Sequence, residues 1–311
     1  MTLFGQSAKL MAARQPDMPD NRHEVRRTLR VTDIPPGIRY ILASTLFFAL
    51  MNVGVKYLSH IPAHEIVFFR ALVTLVVGYA LIRRAGLNPW GNNKKLLLLR
   101  GASGTAALVM YFYTLQNMPL ASAVTIQYLS PMFTIVIASF MLKENTRPIQ
   151  WLFFLVSFAG VLMIKGFDTR VTVPELLIGM GAAVGAGFAY NFVRKLKDYD
   201  HPLVVVFYFP LVTVPVVGLY TVTHWTQPSP LDLVILLLIG LATTAAQVYM
   251  TRAYQLERAA NISNFNYLGT VYAIIIGYFM FGEVVEPLGT AGIVLIILGV
   301  MLGSRFRQTG A

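Results

Sequence analysis

Cysteine is absent from the chain, which excludes disulfide frameworks, thiolate metal sites and cysteine nucleophiles. Charge is scarce. Asp, Glu, Lys and Arg make up 13 % of the 311 residues, against roughly 25 % in an ordinary globular domain. So few charges cannot cover the surface of a soluble enzyme. Disordered, coiled-coil and collagen-like chains are excluded on the same ground. Histidine is thin as well, at five residues. Only His60 and His64 have an i, i+4 spacing, and they flank Pro62, so one helix does not carry both and no zinc site is expected there. No Walker loop, nucleophile elbow or pair of carboxylates occurs, so neither ATP-driven work, nor catalysis, nor a bound cofactor is expected.

What the chain does have is apolar residues, at 56 %, with a mean hydropathy of +0.62. From Tyr40 onward, apolar stretches of spanning length alternate with short polar breaks; a helix needs about 20 residues to cross a bilayer. The spacing predicts ten helices over 37–57, 63–82, 95–116, 119–141, 148–165, 174–195, 202–223, 231–254, 259–280 and 287–304. The breaks carry proline, at Pro62, Pro119, Pro148, Pro202, Pro230 and Pro287 among others. Residues 1–36 and 305–311 are read as cytoplasmic tails, the first of them disordered. The runs are continuous rather than alternating, so a β-barrel is excluded.

The formal charge of +11 would suggest nucleic acid in a soluble protein. Here no basic run is interleaved with aromatics, and no nucleic-acid partner is expected. With the N-terminus inside, 21 Lys and Arg fall on the inner side and three on the outer, with Arg70 inside helix two. That bias places both termini in the cytoplasm of an inner membrane.

Sliding the sequence on itself reveals an internal repeat at an offset of 139. Between Ala107 and Val161 it gives 14 identities in 55 positions, among them Gln116/Gln255, Tyr128/Tyr267, Glu144/Glu283, Pro148/Pro287 and Gly160/Gly299. Earlier pairs are Asn52/Asn191, Lys56/Lys195 and Thr74/Thr213. Each half, 37–165 and 174–304, carries five helices. An odd number inserts the second copy upside down, which is the architecture of many secondary transporters, with the substrate site at the midplane between the halves.

Polar groups inside a membrane are costly and commonly face a cavity. Helix four carries Ser122, Thr125, Gln127, Tyr128 and Ser130; helix nine carries Asn261, Asn264, Asn266, Tyr267 and Thr270. The steps 122–125–128 and 261–264–267 keep one helical face. Pro131 is expected to kink helix four and free carbonyls there. Asn52 and Asn191 are symmetry partners on helices one and six, where cavity lining competes with plain interhelical hydrogen bonding. Arg70 lies seven residues into helix two, roughly 10 Å deep. It either receives a substrate anion or holds an outer gate, and Glu65 is an imperfect partner for it. Arg100 and Arg252 near cytoplasmic ends are read as snorkelling. Tyr111 and Tyr113 flank Phe112 in an aromatic strip that is either core or a stacking surface. The substrate-binding candidates are thus Asn52, Arg70, Tyr111, Thr125, Gln127, Tyr128, Asn191, Asn264 and Tyr267. Gly181-x-x-x-Gly185 and Gly299-x-x-x-Gly303, with Gly160, permit close helix approach. Helices five and ten are expected to pack tightly or to form a homodimer face.

The motifs EIVFFR (Glu65 to Arg70), YFYTLQNMPLASA (Tyr111 to Ala123), Ser130-Pro131 with Leu142-Lys143-Glu144, and Phe281-Gly282-Glu283 carry a resemblance. The chain resembles the drug/metabolite transporter superfamily, of the EamA-domain type, over about residues 37–305. It is most similar to the branch of bacterial S-adenosylmethionine uptake and eukaryotic organic-anion proteins. The resemblance implies a central cavity among helices one, three, four, six, eight and nine. The reading is an all-α, ten-helix carrier of a small anionic or zwitterionic metabolite, such as S-adenosylmethionine or a carboxylate, working by alternating access in the lipid bilayer. An amino-acid or drug exporter of the same fold is the alternative; a lipid-handling or scaffold protein is the other class.

Overall fold

The computed structural model describes residues 35–141, 148–196, 198–256, 265 and 267–308. Helix formation follows from the membrane: in hydrocarbon every backbone N–H and C=O needs an internal partner, and a helix supplies one within each segment. The segments are α1 (Pro36–Tyr57), α2 (Ala63–Arg84), α3 (Lys94–Asn117), α4 (Leu120–Gln127), α5 (Ser130–Met141), α6 (Pro148–Phe167), α7 (Val173–Leu196), α8 (Pro202–Thr223), α9 (Pro230–Leu256), α10 (Leu268–Phe281) and α11 (Pro287–Gln308). No strand occurs among the described residues. With α4 and α5 taken as the single span Leu120–Met141, seven spans are long and apolar enough to cross a membrane, and three shorter apolar helices complete ten. The ninth expected span begins at 259; the described helix begins at Leu268, since 257–264 and 266 lie outside the described residues, as do 1–34, 142–147, 197 and 309–311. α11 runs to Gln308, into the expected C-terminal tail.

Proline sets the starts. Pro36, Pro148, Pro202, Pro230 and Pro287 open their helices, where the missing N–H has no intrahelical acceptor to lose. Pro131 does interrupt helix four, but three residues upstream of itself. Its ring excludes the ordinary turn over Gln127, so α4 ends there and α5 starts at Ser130. Tyr128 and Leu129 bridge the break with tight bonds to Thr125 and Ile126 carbonyls, both 3.0 Å.

The two halves contact each other as the offset of 139 requires. α3 packs on α7 as α9 packs on α1, and α3 on α8 as α9 on α2. The detail is residue for residue. Thr105 Oγ1 meets Thr213 Oγ1 at 2.7 Å, and its mate, Thr244, meets Thr74 at 3.2 Å. A Cβ on Gly101 would lie 2.6 Å from the Val212 side chain, and one on Gly240 would lie 2.5 Å from that of Val73. Gly101/Gly240, Val73/Val212 and Thr105/Thr244 are therefore further identical pairs of the repeat. Helices α6 and α11 cross on their own symmetric contact. Gly160 faces the Gly292 carbonyl and Ile296, while Gly299 faces the Phe153 carbonyl and Ser157. Gly181 and Gly185 face Met110 and Ala107 of α3. All these glycines serve contacts within the chain.

Candidate substrate site

The membrane-spanning helices define two faces. The proximal one carries the start of α1; the distal one carries the loops 58–62, 118–119, 168–172, 224–229 and 282–286. Between them the polar side chains converge where α1, α2, α3, α4, α7 and α9 meet.

At the centre, the rings of Tyr128 and Tyr267 meet edge to face, 5.4 Å between centroids. They are symmetry mates and stand at the break before α5 and the start of α10, so the pseudo-twofold axis runs between them. The Tyr128 hydroxyl lies against the Cα of Gly269, where any side chain would displace it. Thr125, fully buried, points its hydroxyl at Thr270 at 3.4 Å. Gln127 is half-buried, and its Oε1 has no partner among the described residues. Asn52 accepts a hydrogen bond from the Tyr111 hydroxyl at 3.2 Å. Asn191 behaves differently. Its Nδ2 donates to the carbonyls of Thr134 and Gly187, bracing α5 against α7, while its wholly buried Oδ1 is unpartnered. Asn261, Asn264 and Asn266 lie outside the described residues.

Arg70 is 5 % exposed. Its Nε donates to Thr243 Oγ1 at 3.1 Å, its guanidinium lies over the Phe112 ring at 5.4 Å, and its Nη1 is buried without a partner among the described residues. Glu65 does not pair with it. That carboxylate is buried at the distal end of α2 and accepts from the Thr226 backbone at 3.1 Å. Arg100 does not snorkel. Its guanidinium stacks over the Phe209 ring at 4.4 Å, with Nε and Nη1 buried and unpartnered. The charge of Arg100 opposes that of Arg70; Tyr111 lies within electrostatic reach of Arg70, and Tyr190 within reach of Arg100. No carboxylate among the described residues bridges to either arginine.

A clamp closes the distal end of this cluster. Gly282 adopts φ +63°, the left-handed helix stop that glycine supplies without penalty, and folds Glu283 back so that its backbone N–H meets the Gly277 carbonyl at 2.9 Å. The Glu283 carboxylate then bonds Lys56 Nζ at 2.6 Å and the Leu120 N–H at 2.7 Å. Lys56 also donates to the Met118 carbonyl at 2.6 Å. These bonds lace α1 and α4 of the first repeat to α10 of the second. Beside them Arg170 bridges Asp168 and the Val284 carbonyl; the Asp168 hydrogen bond raises the Arg170 pKa above the ordinary arginine value. His60 bonds Asp232 at 3.1 Å, away from His64. No cluster of metal-ligating side chains occurs among the described residues.

From the sequence Arg100 was read as snorkelling near a cytoplasmic end yet able to reach the cavity, and Tyr190 was noted beside Asn191; Thr243 and the clamp were not singled out. The Lys56/Lys195 and Glu144/Glu283 identities carried a signal for the clamp. A separate cavity of about 820 Å³ lies among α2, α3 and α8, beside the exposed Val216 and Tyr220. Its lining is mostly apolar and includes neither arginine. A lipid-handling protein would show a polar lateral groove instead.

Comparison with known proteins agrees with this architecture. A solved structure, titled only as the crystal structure of a protein, superposes with a TM-score of 0.62 at 16 % identity, covering 88 % of this chain and 99 % of its own, which shows the fold. The pseudopaline exporter of Pseudomonas aeruginosa is 32 % identical over 88 % of this chain and 97 % of its own length. The S-adenosylmethionine uptake transporter of Rickettsia prowazekii is 26 % identical over 84 % of this chain and 90 % of its own. The model of the EamA-like transporter family matches twice, at residues 35–166 and 173–305. The chain therefore belongs to the EamA-like transporter family, as a multi-pass membrane transporter of small molecules and not an enzyme.

Proposed function

We propose that the protein carries a small anionic or zwitterionic metabolite across the inner membrane by alternating access, with the substrate held between Tyr128 and Tyr267. The observation that supports this best is Arg70. A buried guanidinium with an unused N–H and no carboxylate partner is costly to maintain unless an anion visits it. The planar fork matches a carboxylate. The same charge disfavours a sulfonium cation, so S-adenosylmethionine fits the site less well than a carboxylate does, although aromatic faces can hold a cation. The two relatives are named for export and for uptake, so likeness to them supports neither direction over the other.

The repeat supplies the mechanism. Two inverted copies of one fold can exchange conformations, so that one state closes the distal mouth and its mirror closes the proximal one. The Lys56–Glu283 clamp belongs to the first kind. The excess of Lys and Arg on the proximal side supports a cytoplasmic proximal face.

Counterflow in proteoliposomes, with the substrate found by thermal-shift screening of carboxylates, amino acids and S-adenosylmethionine, tests the reading. A ligand at 100 times its Kd stabilises by about 2.7 kcal/mol. Tyr128→Ala and Tyr267→Ala are each expected to lower transport at least tenfold at unchanged membrane expression. Undiminished transport in both variants would remove the substrate from this axis.

A further inference from the structure

The two arginines are not symmetry mates. At an offset of 139 the mate of Arg70 is Phe209, and the mate of Arg100 is Ile239. Yet their guanidinium groups stand at matching addresses. That of Arg70 bonds Thr243 and belongs to position 70. That of Arg100 stacks on Phe209, the mate of position 70. Its Nη1 lies 2.7 Å from where a Cβ on Gly104 would be, and Gly104 is the mate of Thr243. The second repeat has phenylalanine at position 209 where the first has Arg70, and the first has Gly104 where the second has Thr243. The long side chain of Arg100, reaching in from the proximal end of α3, fills the space that Gly104 leaves. A cation is thereby placed on the opposite side of the pseudo-twofold axis.

Each guanidinium has its own aromatic surroundings. Arg70 lies with Phe112 and Tyr111, and Arg100 with Phe209 and Tyr190. Each keeps buried N–H donors without a partner among the described residues: Nη1 of Arg70, and Nε and Nη1 of Arg100. Two like charges in one low-dielectric interior repel. A single anionic group at one of them would leave the other unpaired.

We infer that the site takes a substrate with two separated anionic groups, one held by Arg70 and the other by Arg100, which makes Arg100 a specificity residue. The inference rests on the transport reading above and narrows it to a substrate class. It also gives the repeat a chemical purpose, since each half presents one cation to one end of the same molecule. A phosphate monoester carries both charges on one group; a dicarboxylate carries one for each guanidinium.

Titration of the purified full-length protein with dicarboxylates of three to six carbons, succinate monomethyl ester and glycerol 3-phosphate tests this, with binding read by calorimetry. At least one dicarboxylate is expected to bind ten times more tightly than the monoester and the phosphate monoester. In Arg100→Gln the ratio of dicarboxylate to monoester affinity should fall at least tenfold, and Arg100→Lys should recover part of it. The wild-type comparison needs no variant to fold. Equal affinity for diacid and monoester overturns the inference. Binding and transport of an amino acid or S-adenosylmethionine, with no dicarboxylate bound, also overturns it but leaves the transport reading intact. No binding by any of these, with no counterflow in proteoliposomes, overturns both.

Discussion

Glu283→Gln is expected to open the distal mouth. The substitution keeps the size of the side chain but removes the anion that holds Lys56, and both groups are nearly withdrawn from water, at 12 % and 13 % exposure. Breaking such a pair by deleting one partner costs about 3–5 kcal/mol, because the surviving charge stays buried and unpaired. The Leu120 N–H at the start of α4 keeps only a neutral acceptor. If the protein alternates between two states, a penalty of that size on one of them shifts their ratio by more than 100-fold. The absence of cysteine makes the test clean. Ala121, 2 % exposed in the first turn of α4, becomes a single reporter as Ala121→Cys. Its labelling by a membrane-impermeant maleimide from the distal side should rise at least tenfold in Glu283→Gln. Combining Lys56→Glu with Glu283→Lys should restore slow labelling, which simple damage to the fold would not. An unchanged labelling rate in Glu283→Gln would show that the clamp does not govern access.

The spans were legible because apolar length and proline punctuation are local properties, and lipid leaves the backbone no option but helix. The repeat was legible because Gln116, Tyr128, Glu144 and Pro148 recur in register. Less was legible where tertiary contact decides. Arg100 is the seventh residue of α3, and counting put it near a cytoplasmic end, from which a long side chain can reach the cavity. Its inward course depends on Gly104 and on the Phe209 ring from another helix. Glu65 was read as an imperfect partner for Arg70, since five residues turn the two apart, and the loop at Thr226 takes its carboxylate. Asn191 was placed with its mate Asn52, yet one braces a helix and the other bonds Tyr111. Symmetry of sequence fixed the addresses, and the residues that differ between repeats decide what each address does. The glycine–valine and threonine–threonine contacts of α2, α3, α8 and α9 show the converse. There the residues are the same in both halves, and so is the packing.

That identity of packing makes a quantitative expectation for α6 and α11. Gly160→Ala puts a Cβ 2.6 Å from the Gly292 carbonyl and 3.0 Å from the Ile296 nitrogen. Both are backbone atoms and cannot swing aside, so the helices must separate along their length. Overpacking of this kind costs about 1–3 kcal/mol, and a contact with main chain belongs at the upper end. Gly299→Ala meets the Phe153 carbonyl at 2.7 Å in the mirrored position and should cost about the same, although part of its clash is with the Ser157 hydroxyl, which can rotate. The double variant should cost less than the sum, since one separation of the two helices relieves both clashes, and residues sharing an interface couple in this way. Gly78→Ala is the control. Its Cβ would rest 3.5 Å from Phe207, an ordinary contact, and alanine is the better helix former. The melting temperature in detergent should therefore fall in both interface variants and hold or rise in Gly78→Ala. Additive losses in the double variant would mean that each clash is absorbed locally and that α6 and α11 do not move as one interface.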